Sequence, residues 1–157
     1  QFMPSAYIDY AVDFDDDGHI NLFTNKEDAI GSVANYFKGH GWQSGRGICY
    51  GVHPHNANVD ALMKKQWNLT VEELYGSGAT TKVNLSSNQK VRLFSYDLEN
   101  GSKGYVVGLN NFNTIMRYNT SPLYARAVFE LSEFIAINVD KIKRQSGIEV
   151  PHRSRIP

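Results

Sequence analysis

Apolar positions recur at helical spacing near both ends of the chain. One helix is predicted over residues 26–40, with a buried face made of Ala29, Ile30, Val33, Ala34 and Phe37. A second helix is predicted to start at the cap Ser121, with Pro122 in its first turn and Gly147 as its stop. Its predicted core stripe comprises Leu123, Ala127, Val128, Leu131, Phe134, Ile135 and Ile142. Both ends of the chain are therefore predicted to be helical.

The middle of the chain has shorter apolar runs, which are typical of strands. Residues 48–52 predict one strand, and residues 91–98 and 104–109 predict an antiparallel hairpin around the turn Glu99-Asn100-Gly101-Ser102. Short helices are predicted at residues 60–67, after the capping-box residue Thr70, and at residues 111–118. The order of helical, β-rich and helical regions indicates an α+β fold.

This pattern divides the chain into four expected segments. A chain of 157 residues is long enough for one domain with a small subdomain. The segments are a helical core segment at 1–44, a small antiparallel β subdomain at 45–108, helices that return to the core at 109–147, and a tail at 148–157.

Composition narrows the classes of partner. Sixteen basic and sixteen acidic side chains cancel, so we expect no nucleic acid as partner, because phosphate binding usually leaves a basic excess. Cys49 is the single cysteine, which excludes a disulfide within the chain. No apolar run approaches the length of a membrane-spanning helix. Because the chain begins with Gln1 and not Met, we expect it to be an internal part of a longer protein.

An acidic run near the start has the spacing of a calcium loop. Asp13, Asp15 and Asp17 stand at positions 1, 3 and 5, and Gly18 stands at position 6, where the chain must bend sharply. The backbone carbonyl of His19 occupies position 7. Because Ca²⁺ prefers six to eight oxygen ligands, alternate carboxylates on a tight turn predict a calcium site. Such a site is more often structural than catalytic.

The loop departs from the usual pattern where it should close. Position 12 is Thr24 and not the usual glutamate. A lengthened loop can close instead through Glu27 or Asp28, at the start of the following helix, and the spacing does not choose between them. The alternative interpretation of these residues is an acidic turn that is exposed to solvent and binds no cation.

Three segments of the chain carry motifs that belong together. They are Gln1-Phe2-Met3-Pro4-Ser5 with Tyr7 and the acidic run, residues 28–37 followed by His40-Gly41-Trp42, and residues 108–128 from Gly-Leu through Arg-Tyr-Asn to Tyr-Ala. In this order they resemble the C-terminal portion of the membrane-bound lytic murein transglycosylase B family (glycoside hydrolase family 103) of bacteria. The resemblance covers both ends of the chain well and the middle weakly.

The resemblance implies a lysozyme-like, mainly helical transglycosylase domain with a small β subdomain and an EF-hand-like loop that holds structural Ca²⁺. In the family, one glutamic acid protonates the oxygen between N-acetylmuramic acid and N-acetylglucosamine. It then acts as a base while the sugar's own 6-hydroxyl attacks, which yields a 1,6-anhydro product. The family places this glutamate upstream of the Gln1 segment, so we expect no catalytic residue in this chain and no activity from it alone.

The resemblance also assigns binding residues. Gln1, Tyr36, Tyr118, Asn119 and Tyr124 fall where the family lines its glycan cleft. Tyrosine rings stack on sugars and amides bond to hydroxyl and N-acetyl groups, although a lone tyrosine more often packs at the edge of a core. In the calcium loop, the resemblance favours Asp28 over Glu27.

The implied partners are peptidoglycan strands and the missing N-terminal part of the same protein. The implied location is the periplasm. Whether an N-terminal segment absent from this chain anchors the protein in the outer membrane is left open. A non-catalytic, calcium-stabilised peptidoglycan-binding module is the alternative function. The sequence upstream of Gln1 would discriminate between the two.

Overall fold

Two units make up this protein, and the computed structural model describes residues 2–148 of it. The division falls at residue 43, between the units Gln1–Gln43 and Ser44–Pro157. The predicted boundary between residues 108 and 109 lies inside the second unit and stays a prediction. The predicted tail lies outside the described residues apart from Ile148.

The first unit consists of two helices on either side of the acidic loop. Helix α1 covers Pro4–Tyr10 and begins with proline. Proline has no backbone N–H, and it is tolerated here because the N–H groups of the first turn have no partner within the helix. Helix α2 covers Lys26–Gly39, which confirms the predicted helix. The side chain of Asn25 caps it by accepting hydrogen bonds from the backbone N–H groups of Glu27 and Asp28.

The predicted buried face of α2 is wrong. The buried residues of this helix are Asp28, Gly31 and Ser32, whereas Ile30 is 70% exposed. Short polar side chains occupy the inner face because they hydrogen-bond to the backbone of the preceding segment. Apolar periodicity does not detect such a face, because it counts hydrophobic groups alone.

The second unit is built around a five-stranded antiparallel sheet with the strand order β2-β4-β5-β1-β3. The strands are β1 Cys49–His53, β2 Leu69–Thr70, β3 Thr80–Thr81, β4 Lys90–Asp97 and β5 Lys103–Gly108. The hairpin of β4 and β5 confirms the one predicted from the Asn-Gly turn, and it pairs Leu93 with Val107 and Tyr96 with Gly104. The two-residue strands β2 and β3 are too short to show an alternating pattern.

Two short helices cover one face of the sheet. Helix α3, Val59–Lys64, is followed by the 3-10 turn Gln66–Asn68, where one longer helix was predicted. Helix α4, Val71–Gly76, starts with the predicted capping box, in which Thr70 and Glu73 satisfy each other's backbone N–H groups. These elements and the sheet enclose the core: Val52, Leu62, Leu69, Val71, Leu74, Ala79, Leu85, Val91, Leu93, Val107 and Leu109.

Helices α5, Asn110–Tyr118, and α6, Pro122–Gln145, follow the sheet. Ser121 caps α6 through the N–H of Tyr124, as predicted. The predicted core stripe of α6 is wrong within the described chain, because Ala125 is its one buried residue. The large members of the stripe are 53–69% exposed: Leu123, Leu131, Phe134, Ile135 and Ile142. Residues close together in sequence are enough to specify the helix. Its apolar stripe, however, is buried only where another part of the protein packs against it.

No helix within residues 2–148 is long and apolar enough to cross a membrane.

Candidate functional site

The acidic loop folds back on its own first carboxylate. Asp13 accepts hydrogen bonds from the backbone N–H of Gly18 at 2.8 Å (Oδ2) and of Asp17 at 3.2 Å (Oδ1). Gly18 has φ +89° and Asp16 has φ +58°, both in the left-handed region that a sharp bend requires. The chain therefore bends at Gly18, as the glycine at position 6 of the loop predicts.

Asp28 holds the loop from the helix side. Its side chain is fully buried, and its two oxygens accept the backbone N–H groups of Phe14 and Asn21, each at 2.8 Å. Hydrogen bonds to an ionised carboxylate are among the stronger kinds in proteins. Asp28 also lies in the first turn of α2, where the helix dipole favours negative charge. One side chain thus ties both arms of the loop to α2.

Three carboxylates converge at this point. Asp13, Asp15 and Asp28 each offer an oxygen, and these three oxygens lie within 4.8 Å of one another. Oxygens bound to one Ca²⁺ at 2.3–2.6 Å can be at most about 5 Å apart, so the spacing fits a shared ion. Three close negative charges repel unless a cation neutralises them. An all-oxygen set of this kind suits a hard divalent cation such as calcium.

The remaining predicted ligands are placed differently. Asp17 is not in the converging set, and its Oδ1 accepts the N–H of His19 at 2.8 Å. The carboxylate of Asp17 and the carbonyl of His19 therefore stay predictions as ligands. Of the two residues that could close the loop, the structure brings Asp28 to the set, while Glu27 is exposed at the helix start.

Asn25 supports the site as well as capping α2. Its Nδ2 donates to Asp15 Oδ2 at 2.9 Å while its Oδ1 caps α2. This hydrogen bond lowers the pKa of Asp15, and the exposed carboxylate therefore stays ionised. Because the pKa is lowered in the folded state, the contribution to stability is present above the unfolded pKa and is lost as the pH falls.

Two further side chains of α2 form hydrogen bonds with the backbone of the segment before the loop. Ser32 Oγ accepts the N–H of Val12 at 2.9 Å, and Asn35 Nδ2 donates to the carbonyl of Tyr10 at 3.0 Å. With Asp28 they follow the spacing i, i+4, i+7, so they share one face of the helix. A search for polar groups at helical spacing could have found this face.

Gly31 also lies on this buried face of α2, and its lack of a side chain leaves room for the ring of Phe14. A Cβ at this position would lie 2.5 Å from the ring of Phe14. The ring of Phe14, the second residue of the acidic run, therefore packs directly on the backbone of α2.

Tyr36, the predicted glycan residue of the first unit, belongs to an aromatic cluster. Its ring stacks on the ring of His40, with centroids 3.9 Å apart and planes inclined by 20°, and meets the edge of Tyr10 at 5.2 Å. His40 Nδ1 lies 2.8 Å from the carbonyl of Tyr36; because a carbonyl only accepts, Nδ1 carries the proton. The cluster holds the ring of Tyr36 in one orientation.

The predicted residues of the second unit meet where α5 leads into α6. The rings of Tyr118 and Tyr124 are nearly parallel, with centroids 6.3 Å apart. Asn119 lies between the helices, is exposed, and its Oδ1 accepts the N–H of Ser121 at 3.0 Å. This hydrogen bond orients the side chain. Gln1, the fifth predicted residue, lies outside the described residues.

Two glutamates within residues 2–148 are held in ion pairs. Glu73 pairs with Lys65 at 2.6 Å, and this hydrogen bond lowers the pKa of Glu73, the reverse of what a general acid needs. Glu130 pairs with Arg126 at 2.6 Å. Burial raises the pKa of the Cys49 thiol to about 12, so it is not a thiolate nucleophile at neutral pH.

Comparison with known proteins identifies relatives. Residues 1–133 match the family described as the transglycosylase SLT domain. The chain is 42% identical to the membrane-bound lytic murein transglycosylase B of Escherichia coli (strain K12), over 87% of this chain and 37% of that protein.

Two solved structures are similar to the fold. The E. coli lytic transglycosylase Slt35 in complex with calcium has a TM-score of 0.75 and 41% identity, covering 88% of this chain and 43% of that one. SltB3 from Pseudomonas aeruginosa in complex with NAG-NAM-pentapeptide has a TM-score of 0.68 and 31% identity, covering 82% and 35%. The mixed fold of helices and antiparallel sheet is thus the one expected. The chain spans less than half the length of each of these relatives.

Proposed function

The chain belongs to the transglycosylase SLT domain family, and from this membership we propose that it is part of a lytic murein transglycosylase that cleaves peptidoglycan. The observation that carries the proposal is the match of most of the chain to the murein transglycosylase B of E. coli. A family fold alone would be weaker support, because one fold can serve many functions.

In the proposed reaction, a glutamic acid donates its proton to the oxygen of the β-1,4 bond between N-acetylmuramic acid and N-acetylglucosamine. The bond to the leaving sugar breaks, and the muramic 6-hydroxyl attacks the anomeric carbon. The carboxylate then takes the proton of that hydroxyl, so that the acid is regenerated and a 1,6-anhydro sugar forms.

We propose that this acid comes from outside residues 2–148. Glu73 and Glu130 are engaged in ion pairs, Glu27, Glu72 and Glu99 are exposed, and Glu133 is half-buried on α6, away from the residues proposed to contact glycan. A general acid at neutral pH needs a raised pKa, which ordinarily comes from an apolar pocket. The hydrogen bond with Lys65 lowers the pKa of Glu73, which favours its ionised form.

The converging carboxylates support an EF-hand-like calcium site with a structural role. Asp13, Asp15 and Asp28 would hold the ion, with Asp17 and the carbonyl of His19 as further proposed ligands. Bound calcium would neutralise the three charges and fix the loop on α2. The similar Slt35 structure in complex with calcium supports this proposal.

The proposed glycan contacts are Tyr36 in the first unit and Tyr118, Asn119 and Tyr124 in the second. Each tyrosine has a defined ring orientation, through the stacking of Tyr36 on His40 and of Tyr118 beside Tyr124. Pre-oriented rings lose less conformational freedom when a sugar stacks on them. Asn119 keeps its amide N–H₂ group for a hydroxyl or N-acetyl oxygen while its Oδ1 holds Ser121.

A periplasmic location follows from the proposed substrate, because murein lies outside the cytoplasmic membrane. The E. coli relative is membrane-bound, which leaves attachment of the complete protein to the outer membrane as a further proposal.

The decisive experiment is mass-spectrometric analysis of the products released from purified peptidoglycan. We expect 1,6-anhydro-muropeptides from the complete protein and none from residues 1–157 alone, because an absent general acid typically costs about 10²–10⁴-fold in rate. Absence of anhydro products from the complete protein would favour the non-catalytic binding module instead. Anhydro products from residues 1–157 would place the acid within them.

In the same assay, Asn119→Asp tests the glycan contact. Aspartate keeps the oxygen that accepts the N–H of Ser121 but removes the amide donor. Loss of one hydrogen bond costs about 0.5–1.5 kcal/mol, so turnover at low substrate should fall severalfold. Asn84→Asp, at an exposed position in the same unit, is the matched control. Equal activity of the two variants would remove Asn119 from the site.

A further inference from the structure

The second unit contains an open cavity of about 600 Å³ that no step above uses. It lies at the corner of the sheet where β1 ends and the hairpin of β4 and β5 turns. The polar and aromatic side chains that line it are Tyr50, His53, Lys82, Tyr96, Lys103 and Tyr105.

The walls of the cavity combine aromatic rings with bare backbone. The ring of Tyr96 covers Gly104, where a Cβ would lie 2.4 Å from it. Gly51, also in the wall, has open space where its side chain would be. Flat rings beside two glycines, which carry no side chain, leave room for an extended peptide to lie against this wall.

The charge of the cavity has one sign. Lys82 and Lys103 line it, and no aspartate or glutamate is among the lining residues. Lys103 pairs with Asp97 at 2.9 Å across the end of the hairpin. Lys82 is exposed and has no ion pair within residues 2–148. Because Asp97 compensates the charge of Lys103, Lys82 is the cation of this cavity that favours an anionic ligand.

One contact connects this cavity to the proposed glycan residues. Arg126 follows Tyr124 by two residues on α6, a rise of about 3 Å along the helix. Its guanidinium lies 3.5 Å above the ring of Tyr96, which forms part of the cavity wall. The cavity is thus one arginine side chain away from the helix that carries Tyr124.

From this arrangement we propose that the cavity binds the peptide stem of peptidoglycan, with Lys82 as the ligand of a peptide carboxylate. The inference deepens the proposed function and depends on it. Any linear pentapeptide attached to a sugar through its first residue ends in a carboxylate, which supplies the anion. Fully extended, five residues reach roughly 17 Å, enough to pass from a sugar near Tyr124 along Arg126 to the cavity.

The experiment compares three ligands by isothermal titration calorimetry on residues 1–157. They are NAG-NAM, NAG-NAM-pentapeptide, and the same pentapeptide ligand with its terminal carboxylate converted to an amide. We expect the free carboxylate to bind about tenfold more tightly than the amide, the size of one charge-assisted hydrogen bond. This difference should shrink as the ionic strength rises.

Lys82→Glu should abolish the preference for the free carboxylate and leave the affinity for NAG-NAM unchanged. Lys90→Glu makes the same change of charge at an exposed position outside the cavity and should keep the preference. Equal binding of acid and amide by the wild type, or equal loss in both variants, would overturn the inference. Failure to bind NAG-NAM, with or without its peptide, would count against the proposed function as well.

Discussion

The two units of this protein bury opposite kinds of side chain. Within residues 2–43 the buried residues are Asp28, Gly31 and Ser32, two of them polar and the third without a side chain. In the second unit most buried residues are apolar, as Leu69, Leu74 and Val107 are, although Asn111 and Thr114 of α5 are buried as well. The second unit is therefore held mainly by hydrophobic burial, and the first by hydrogen bonds to a buried carboxylate and a hydroxyl.

The difference has an energetic consequence. Burying one large aliphatic side chain contributes about 1.5–3 kcal/mol, whereas a neutral hydrogen bond contributes about 0.5–1.5 kcal/mol net. The first unit has 43 residues and leaves Ile8 82% and Phe23 95% exposed. Segments of that size usually need a metal, a disulfide or a partner surface to be stable. A cation at the proposed site would therefore matter most in the unit with the smaller core.

Each unit contains one tryptophan, which allows the two to be followed separately. Trp42 stacks on Phe37 in the first unit, and Trp67 meets the ring of Phe94 in the second. Variants Trp67→Phe and Trp42→Phe each leave one fluorescent reporter.

The largest effect is expected from Leu74→Ala. Leu74 is fully buried against the sheet, and removing a buried leucine typically costs about 2–5 kcal/mol. Urea unfolding followed through Trp67 should shift to lower concentration, while the transition of Trp42 moves less. Leu98→Ala, at a position that is 41% exposed, is the control and should be nearly neutral. Equal shifts at both tryptophans would mean that the units unfold as one.

Removal of calcium should act on the other unit. Calcium at a hundredfold excess over Kd should stabilise the folded loop by about 2.7 kcal/mol. The melting temperature reported by Trp42 should therefore be higher with calcium than with chelator. The melting temperature reported by Trp67 should hardly change. Asp28→Asn should abolish the difference, because it removes a charge from the converging set.

Asp16→Asn is the matched control for the calcium experiment. Asp16 lies in the same loop, is exposed, and has φ +58°, a conformation that asparagine also tolerates. It is outside the converging set, so the calcium effect should persist. Unchanged melting of the wild type on chelation would contradict the proposed site.

The smallest effect is expected from Gly31→Ala. The new methyl group would overlap the ring of Phe14, and overpacking of this kind costs about 1–3 kcal/mol, less whatever alanine gains in helix propensity. The transition of Trp42 should shift, and calcium affinity should weaken because Phe14 lies in the acidic loop. Gly76→Ala, where a Cβ meets open space, should leave both transitions in place. A neutral Gly31→Ala would show that Phe14 moves aside without cost.

Several features were predictable because their causes are local. The capping box at Thr70, the Ser121-Pro122 start of α6 and the Asn-Gly turn each depend on residues within a few positions of one another. The spacing of Asp13 and Asp15 is likewise local, and the structure brings one oxygen of each to the same point. Order along the chain was enough for these elements.

The inner face of α2 was not predictable from apolar periodicity. Asp28 and Ser32 are buried because backbone N–H groups of the acidic loop and the segment before it point at them. The exposure of Leu131 and Phe134 on α6 is the converse case, since no described surface covers them. Burial depends on what meets a face.

By itself, the sequence determined the helices α2 and α6, the hairpin of β4 and β5 and the family, and it indicated the acidic loop as a candidate cation site. Only the tertiary structure decided that Asp28 joins Asp13 and Asp15, that Asn119 holds Ser121, and that Lys82 faces a cavity. The reason is physical. Local structure follows from dihedral preferences and hydrogen bonds between near neighbours, whereas a site requires atoms distant along the chain to meet, which only packing can arrange.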